Sequence, residues 1–218
     1  MIKIVKGETP EILSENWVAW TEALQKKKAE GLEPTDTEKS RYRHPDIKKA
    51  LIKETYGKCA YCESKLLHIA YGDIEHIMPK SKDIDKIFKW ENLTLACDIC
   101  NTNKGNVEEL IDPYIDDPET LIMFVGPVLL PALWSQKAWA TRTILDLNRI
   151  ELVEKRKEKI ENLYAQIKIL HEVRNEKQRR ILKENFAKNE ALAEKEFAAM
   201  ARYFIKIELE QIFSKDCS

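Results

Sequence analysis

The sequence predicts an α+β chain that is mainly α, built around a small metal-bound core, and three observations carry that expectation. From Ala138 onward the chain contains neither Gly nor Pro, and its apolar residues recur at helical spacing. Two C-x2-C pairs, Cys59-Ala-Tyr-Cys62 and Cys97-Asp-Ile-Cys100, enclose 34 residues. The stretch before them reads as a short strand followed by helices.

Taken in order, Ile2-Lys3-Ile4-Val5 is strand-like. Thr9-Pro10 then supplies a cap and first helical position for a helix carrying Trp17, Trp20 and Leu24 on one face, and Gly31 ends it. After a polar loop Pro45 begins a second helix, striped by Ile47, Leu51 and Ile52, which runs to Gly57 and delivers the chain to Cys59. Both helices read as packing elements. Beyond residue 138, Ile160, Leu163, Ile167 and Leu170, then Leu192, Phe197, Met200, Phe204 and Ile207, give two or three long helices, with breaks at Asn175 to Arg180 and near Asn189. The chain thus divides into residues 1–58, a core at 59–110, a connecting segment at 111–150 and a helical region at 151–218. That last region either covers the core or offers a face to a partner.

Composition excludes several classes. With 218 residues, 44% of them apolar, the chain can bury a real core. Its 36 Lys+Arg against 37 Asp+Glu leave a formal charge of -1, which argues against coating nucleic acid by bulk charge. The longest apolar run, Leu121 to Trp134, is interrupted by Pro127 and Pro131 and is too short to cross a bilayer of about 30 Å. Lys3, Lys6 and Glu8 break up any export signal at the start. A soluble, cytoplasmic chain with no membrane partner is expected.

The two cysteine pairs can converge on one ion, completing the four-sulfur tetrahedron that zinc prefers. Two disulfides or a redox pair are the alternatives. Disulfides need an oxidising compartment, for which there is no signal, and one redox motif would not explain a second matching pair. Cys217 reads as a free thiol.

Between the pairs lie Gly72-Asp-Ile-Glu75-His76-Ile-Met-Pro79-Lys80 and Trp90-Glu91-Asn92-Leu93, and Asn101-Thr-Asn-Lys104-Gly105 follows the last cysteine. Singly each is weak: a lone His is commonly a satisfied packing residue, Glu75 a surface carboxylate, Asn92 a turn residue. Their order, however, resembles the HNH endonuclease family at Cys59, Cys62, Glu75, His76, Pro79, Asn92, Leu93, Cys97, Cys100, Asn101, Lys104 and Gly105. The resemblance implies a ββα-metal unit whose cysteines bind structural Zn²⁺ away from the chemistry. It also implies that Glu75 and Asn101 hold a catalytic Mg²⁺ or Mn²⁺, to which both offer the oxygen a hard cation requires. His76 is then the general base, its reference pKa of about 6.5 leaving it largely neutral at cellular pH. Asn92 is assigned to holding the loop and orienting His76. If 73–77 is extended, Asp73 shares a face with Glu75 and becomes a candidate second carboxylate. Lys80 and Lys104 are candidate phosphate contacts, the alternative for Lys104 being a solvated lysine at a helix end. Lys82, Lys86 and Lys89 flank the site, as do Lys39, Arg41, Arg43 and His44 upstream. Tyr42, Tyr61 and Trp90 read as core or rim.

The flanks are narrower in resemblance. Cys59-Ala-Tyr-Cys-Glu63, Trp90-Glu-Asn-Leu93, Asp112-Pro113, Asp117-Pro-Glu119 and Leu145-Asp-Leu-Asn148 look like the HNH nuclease subunits of Septu-type antiphage systems, also found beside some retrons. This implies a nuclease acting on DNA with an ABC/SMC-like ATPase subunit and, through such a complex, a retron reverse transcriptase and its DNA. The competing readings are an inactive zinc-stabilised adaptor and a solo HNH restriction nuclease.

Overall fold

The computed structural model describes residues 1–66 and 72–215, residues 209–215 as backbone alone; Cys217 lies outside the described residues. The elements are mainly helical with two small sheets.

The N-terminal segment departs from expectation. Ile2-Lys3-Ile4-Val5 does alternate, burying Ile2 and Ile4 and exposing Lys3 and Val5, but among the described residues no strand pairs with it. Its Ile4 N–H donates to Pro113 O at 2.8 Å instead. Helix α1 (Glu11–Ala29) begins one residue later than Thr9-Pro10 suggests. Pro10 is the cap, its carbonyl accepting from the Leu13 and Ser14 N–H groups at 2.9 Å each. The Trp20 ring meets Phe88 edge-on at 5.4 Å, and Leu13 and Leu24 are buried. A single turn, α2 (Asp36–Lys39), is closed by a capping box between Thr35 and Glu38. Helix α3 (Pro45–Glu54) starts at Pro45 as expected, buries Ile47 and Leu51, and stops three residues before Gly57.

The ββα unit follows. Strands β1 (Asp73–His76) and β2 (Leu93–Ala96) pair antiparallel, with Asp73 opposite Ala96 and His76 opposite Leu93. Helix α4 (Asp98–Lys104) comes directly after, Cys97 Sγ accepting the Cys100 N–H at its start. Gly72 enters β1 at φ +64°, where an added Cβ would sit 2.7 Å from Leu66 Cδ1 and 3.2 Å from Ala96 O. Only glycine satisfies both the dihedral and the space. The Ala60 N–H donates to Leu95 O at 2.9 Å, tying the first cysteine loop to β2.

The segment read as a connection holds structure of its own. A turn of helix, α5 (Pro118–Leu121), leads into a hairpin of β3 (Ile122–Val125) and β4 (Val128–Pro131). Gly126, at φ +57°, takes the first position of its two-residue loop, as a hairpin of matching twist requires. Helix α6 (Gln136–Ile144) follows. Asn148 then clamps the hairpin, accepting the Leu129 N–H and donating to the Leu129 carbonyl at 2.9 Å each.

Three long helices complete the described residues: α7 (Ile150–His171), α8 (Glu176–Glu190) and α9 (Ala198–Lys215). Asn175 caps α8 rather than opening a longer break. Leu163 and Ile167 are buried as their spacing predicts. Leu192 falls outside any helix, and α9 buries Met200 and Ile205 rather than Ile207. Among the described residues no helix is long and apolar enough to cross a membrane.

Two buried charges fasten these parts. Arg156 on α7, 2% exposed, donates to Leu147 O at 2.7 Å and lies 5.5 Å over Phe124 and 5.8 Å over Phe197. Glu63, directly after Cys62, accepts from the terminal ammonium of Met1 (2.8 Å), Lys58 Nζ (3.1 Å), and the Ala198 and Ala199 N–H groups that open α9 (3.1 and 3.2 Å). Burial alone would raise this carboxyl, but the two ammonium groups overcome it and hold it at about 2.

Candidate active site

The ββα unit presents two different sites. On one side, Cys59, Cys62, Cys97 and Cys100 are buried with their sulfur atoms all within 4.8 Å of one another. A tetrahedral ion with bonds of about 2.3 Å needs sulfurs about 3.8 Å apart, and Cys62 and Cys97 are separated by 3.9 Å. The donor set and its spacing fit a metal such as zinc. Arg149 Nη1 lies 4.0 Å from Cys100 Sγ, and the Cys100 N–H is 3.4 Å from Cys97 Sγ, so cationic and N–H groups face the sulfurs.

On the other side β1, α4 and the Arg41–Arg43 turn enclose a cleft of about 500 Å³, lined by Asp73, Glu75, His76, Asn101, Lys80 and Tyr42 among others. Glu75 and His76 are adjacent and therefore alternate in direction. Both nevertheless line the cleft, as do Asp73 and Ile74 before them on β1.

His76 is 3% exposed, and its Nε2 lies 2.9 Å from Ile87 O. A carbonyl accepts only, so Nε2 carries the proton and Nδ1 is left as the basic nitrogen. Tyr42 stands edge-on to the ring at 4.5 Å. Burial pushes the imidazole down to about 4, which keeps it neutral at neutral pH. Asn92 holds the surrounding loop: its Oδ1 accepts the Met78 N–H at 2.7 Å, its Nδ2 donates to Met78 O and Lys86 O at 3.0 Å each, and its own carbonyl accepts from Ile77. The Lys86 bond sits one residue before the Ile87 carbonyl that orients His76.

Glu75 and Lys104 form a buried pair. Lys104, 1% exposed, donates to Glu75 Oε1 at 2.8 Å and to the His76 carbonyl at 2.7 Å. Of the two sequence readings of Lys104, the solvated helix end is overturned, since its ammonium is buried against Glu75 and the His76 carbonyl. Burial raises the Glu75 carboxyl, with Lys104 opposing the rise. Asn101, three residues before Lys104 on α4, donates from Nδ2 to Asp73 Oδ2 at 3.0 Å. Lys80 is exposed at the rim, with Nζ 2.9 Å from Tyr42 OH.

The surrounding cations divide. Arg43 lines the cleft, whereas Lys39 pairs with Glu33, Lys82 with Glu108 and Lys86 with Asp83, and Lys89 and Arg41 lie over Trp17 and Trp20. Lys48, which the sequence did not single out, also lines the cleft and donates to Gly72 O at 2.9 Å. It stands on α3 beside the buried stripe of Ile47 and Leu51, one residue after the first and three before the second.

Residues 59–107 match the family model of the HNH endonuclease. The chain is 32% identical over 112 residues to the Septu protein PtuB of Bacillus thuringiensis, covering 49% of this chain and 43% of that protein. It is 26% identical over 194 residues to the Septu protein PtuB of Bacillus mycoides (strain KBAB4), covering 72% and 66%. The matched region thus spans less than two thirds of either relative.

Proposed function

We propose that this chain is a metal-dependent HNH endonuclease that hydrolyses phosphodiester bonds of DNA, as the nuclease of an antiphage complex with an ABC/SMC-like ATPase partner. The observation that carries the reading is His76, held neutral with Nε2 on the Ile87 carbonyl and Nδ1 unprotonated, in a cleft shared with Glu75, Asn101 and Lys80. The PtuB names of its relatives support the defence assignment and, with it, the partner.

Hydrolysis needs a water deprotonated in line with phosphorus, and charge neutralised on the phosphoryl oxygens and the departing 3′ oxygen. His76 Nδ1 accepts the proton from water. Ile87 O and Asn92 keep the ring and its loop in place while it does so. Lys80 and Arg43 at the rim draw the backbone of the nucleic acid into the cleft. Glu75 and Asn101 would hold the catalytic Mg²⁺ or Mn²⁺, which when bound supplies the charge neutralisation. The four cysteines would hold Zn²⁺ and set the register of the first loop, β2 and α4. The helical region after residue 150 is the candidate partner surface.

The test is cleavage of duplex DNA with Mg²⁺ or Mn²⁺, with and without the ATPase subunit. Wild type should cut, and His76→Ala should lose cleavage while keeping its cysteine-bound metal and its fold. Undiminished cleavage by His76→Ala would remove the reading. The Glu75–Lys104 pair favours one alternative, a non-catalytic adaptor whose would-be metal ligand is already neutralised; for it, wild type would show no metal-dependent cleavage even with the partner present.

A further inference from the structure

We propose that Asp73 is a positioning residue of the cleft, acting through Asn101 by fixing which end of the Asn101 amide is free to meet a cation. The inference rests on the nuclease reading above and concerns a carboxylate to which that reading gives no role.

Helix α4 reaches β1 at two points. Lys104 anchors on Glu75 Oε1 and the His76 carbonyl, and Asn101, nearly one turn earlier, meets Asp73. Lys104 therefore sets where Asn101 stands. It does not set how its amide is turned. An asparagine amide rotates between two broad, roughly equivalent orientations, and only its oxygen can ligate a cation; the NH₂ end has no lone pair to offer. Asp73 Oδ2, 3.0 Å from Nδ2, decides between them. An ionised carboxylate accepts only, so it stabilises the NH₂ end beside it and repels the oxygen end. The orientation that results commits Nδ2 to Asp73 and leaves Oδ1 for a cation. Glu75 lies two residues along on the same face of β1, so the strand supplies one carboxylate to hold a cation and another to orient its second ligand. This is the arrangement by which groups outside the coordination sphere tune a metal site, worth about ten- to a hundred-fold in affinity. Because Asp73 is exposed, water competes for its hydrogen bond and the effect belongs near ten-fold.

The test is a double-mutant cycle read by Mn²⁺ titration of the full chain, followed by calorimetry and by the electron paramagnetic signal of the free ion, with the cysteine-bound metal already loaded. Asp73→Asn alone should weaken Mn²⁺ binding roughly ten-fold, with an unchanged melting temperature and unchanged cysteine-bound metal content. In an Asn101→Ala background the same substitution should change nothing further, because there is no amide left to orient. Asp73→Glu should restore part of the affinity. Equal losses in the two backgrounds would make Asp73 a direct ligand and overturn the proposal, as would wild-type affinity in Asp73→Asn. If the wild-type chain binds no Mn²⁺ outside the cysteine cluster, the nuclease reading fails and this inference with it. Normal wild-type binding and cleavage beside an unaffected Asp73→Asn would sink the positioning role alone.

Discussion

Glu63 and Glu75 are both buried carboxylates of the same ββα unit, yet their surroundings push them in opposite directions. Glu63 is met by two ammonium groups and two backbone N–H groups and is held at about 2. Glu75 is met by one ammonium, and its burial raises it. A carboxylate saturated with donors is finished as a structural joint. One left short of donors retains lone pairs and negative charge that a further cation can satisfy, which is the condition of a ligand.

That contrast can be broken by substitution. The largest effect is expected at Glu63: Glu63→Gln strips the counter-charge from two ammonium groups and should cost about 3–5 kcal/mol of unfolding free energy, measured in urea. A cost below about 1 kcal/mol would show that the saturation is not holding the fold. Lys104→Met comes next, at about 2–3 kcal/mol, since it leaves Glu75 buried with no ammonium. Adding Glu75→Gln to Lys104→Met should recover much of that loss, and failure to recover would mean the two side chains do not act as a pair. Glu75→Gln alone leaves the Lys104 ammonium buried without its counter-charge and should likewise cost about 2–3 kcal/mol, while reducing metal-dependent cleavage about a hundred-fold or more. An active Glu75→Gln would place the cation elsewhere.

Acid should separate the same groups. Glu63 titrates at about 2 when folded against an ordinary 4.5, so the stability it contributes is present above pH 4.5 and is lost as the pH falls toward 2. His76 titrates at about 4 against 6.5, so the unfolded chain takes up the proton first and stability declines between pH 6.5 and 4. Glu75, being raised, works the other way: protonation relieves its burial. The acid limb of an unfolding curve should therefore fall in two stages in wild type, and the lower stage should be shallower in Glu63→Gln. Cleavage should hold below pH 6.5 and decline only toward pH 4.

Much of the site was legible because its chemistry is written in spacing. Four cysteines in two pairs, and Glu75-His76 followed by Asn92 and Asn101, are fixed intervals that a short ββα unit must respect. Ile2–Val5 reads as strand-like and does alternate between buried and exposed, but a strand exists only if another pairs with it, and that is decided elsewhere in the chain. Lys104, Glu63 and Arg156 were out of reach for a similar reason. Charged residues are assigned to the surface until a partner is known, and the most distant of the four partners of the Glu63 carboxylate lies 136 residues away at Ala199. The β3–β4 hairpin did leave a signal, Gly126-Pro127 between two apolar runs, which the prolines disguised as a mere interruption.

The joint at Glu63 also has a kinetic face. The first two amides of α9 are protected by a carboxylate that belongs to the first cysteine loop, so that loop and the start of the helix form one cooperative opening unit. Stripping the metal from the cysteines should accelerate hydrogen exchange at Ala198 and Ala199, although neither approaches the cluster in sequence. A C-terminal helix would then serve as a built-in reporter of metal occupancy, readable amide by amide.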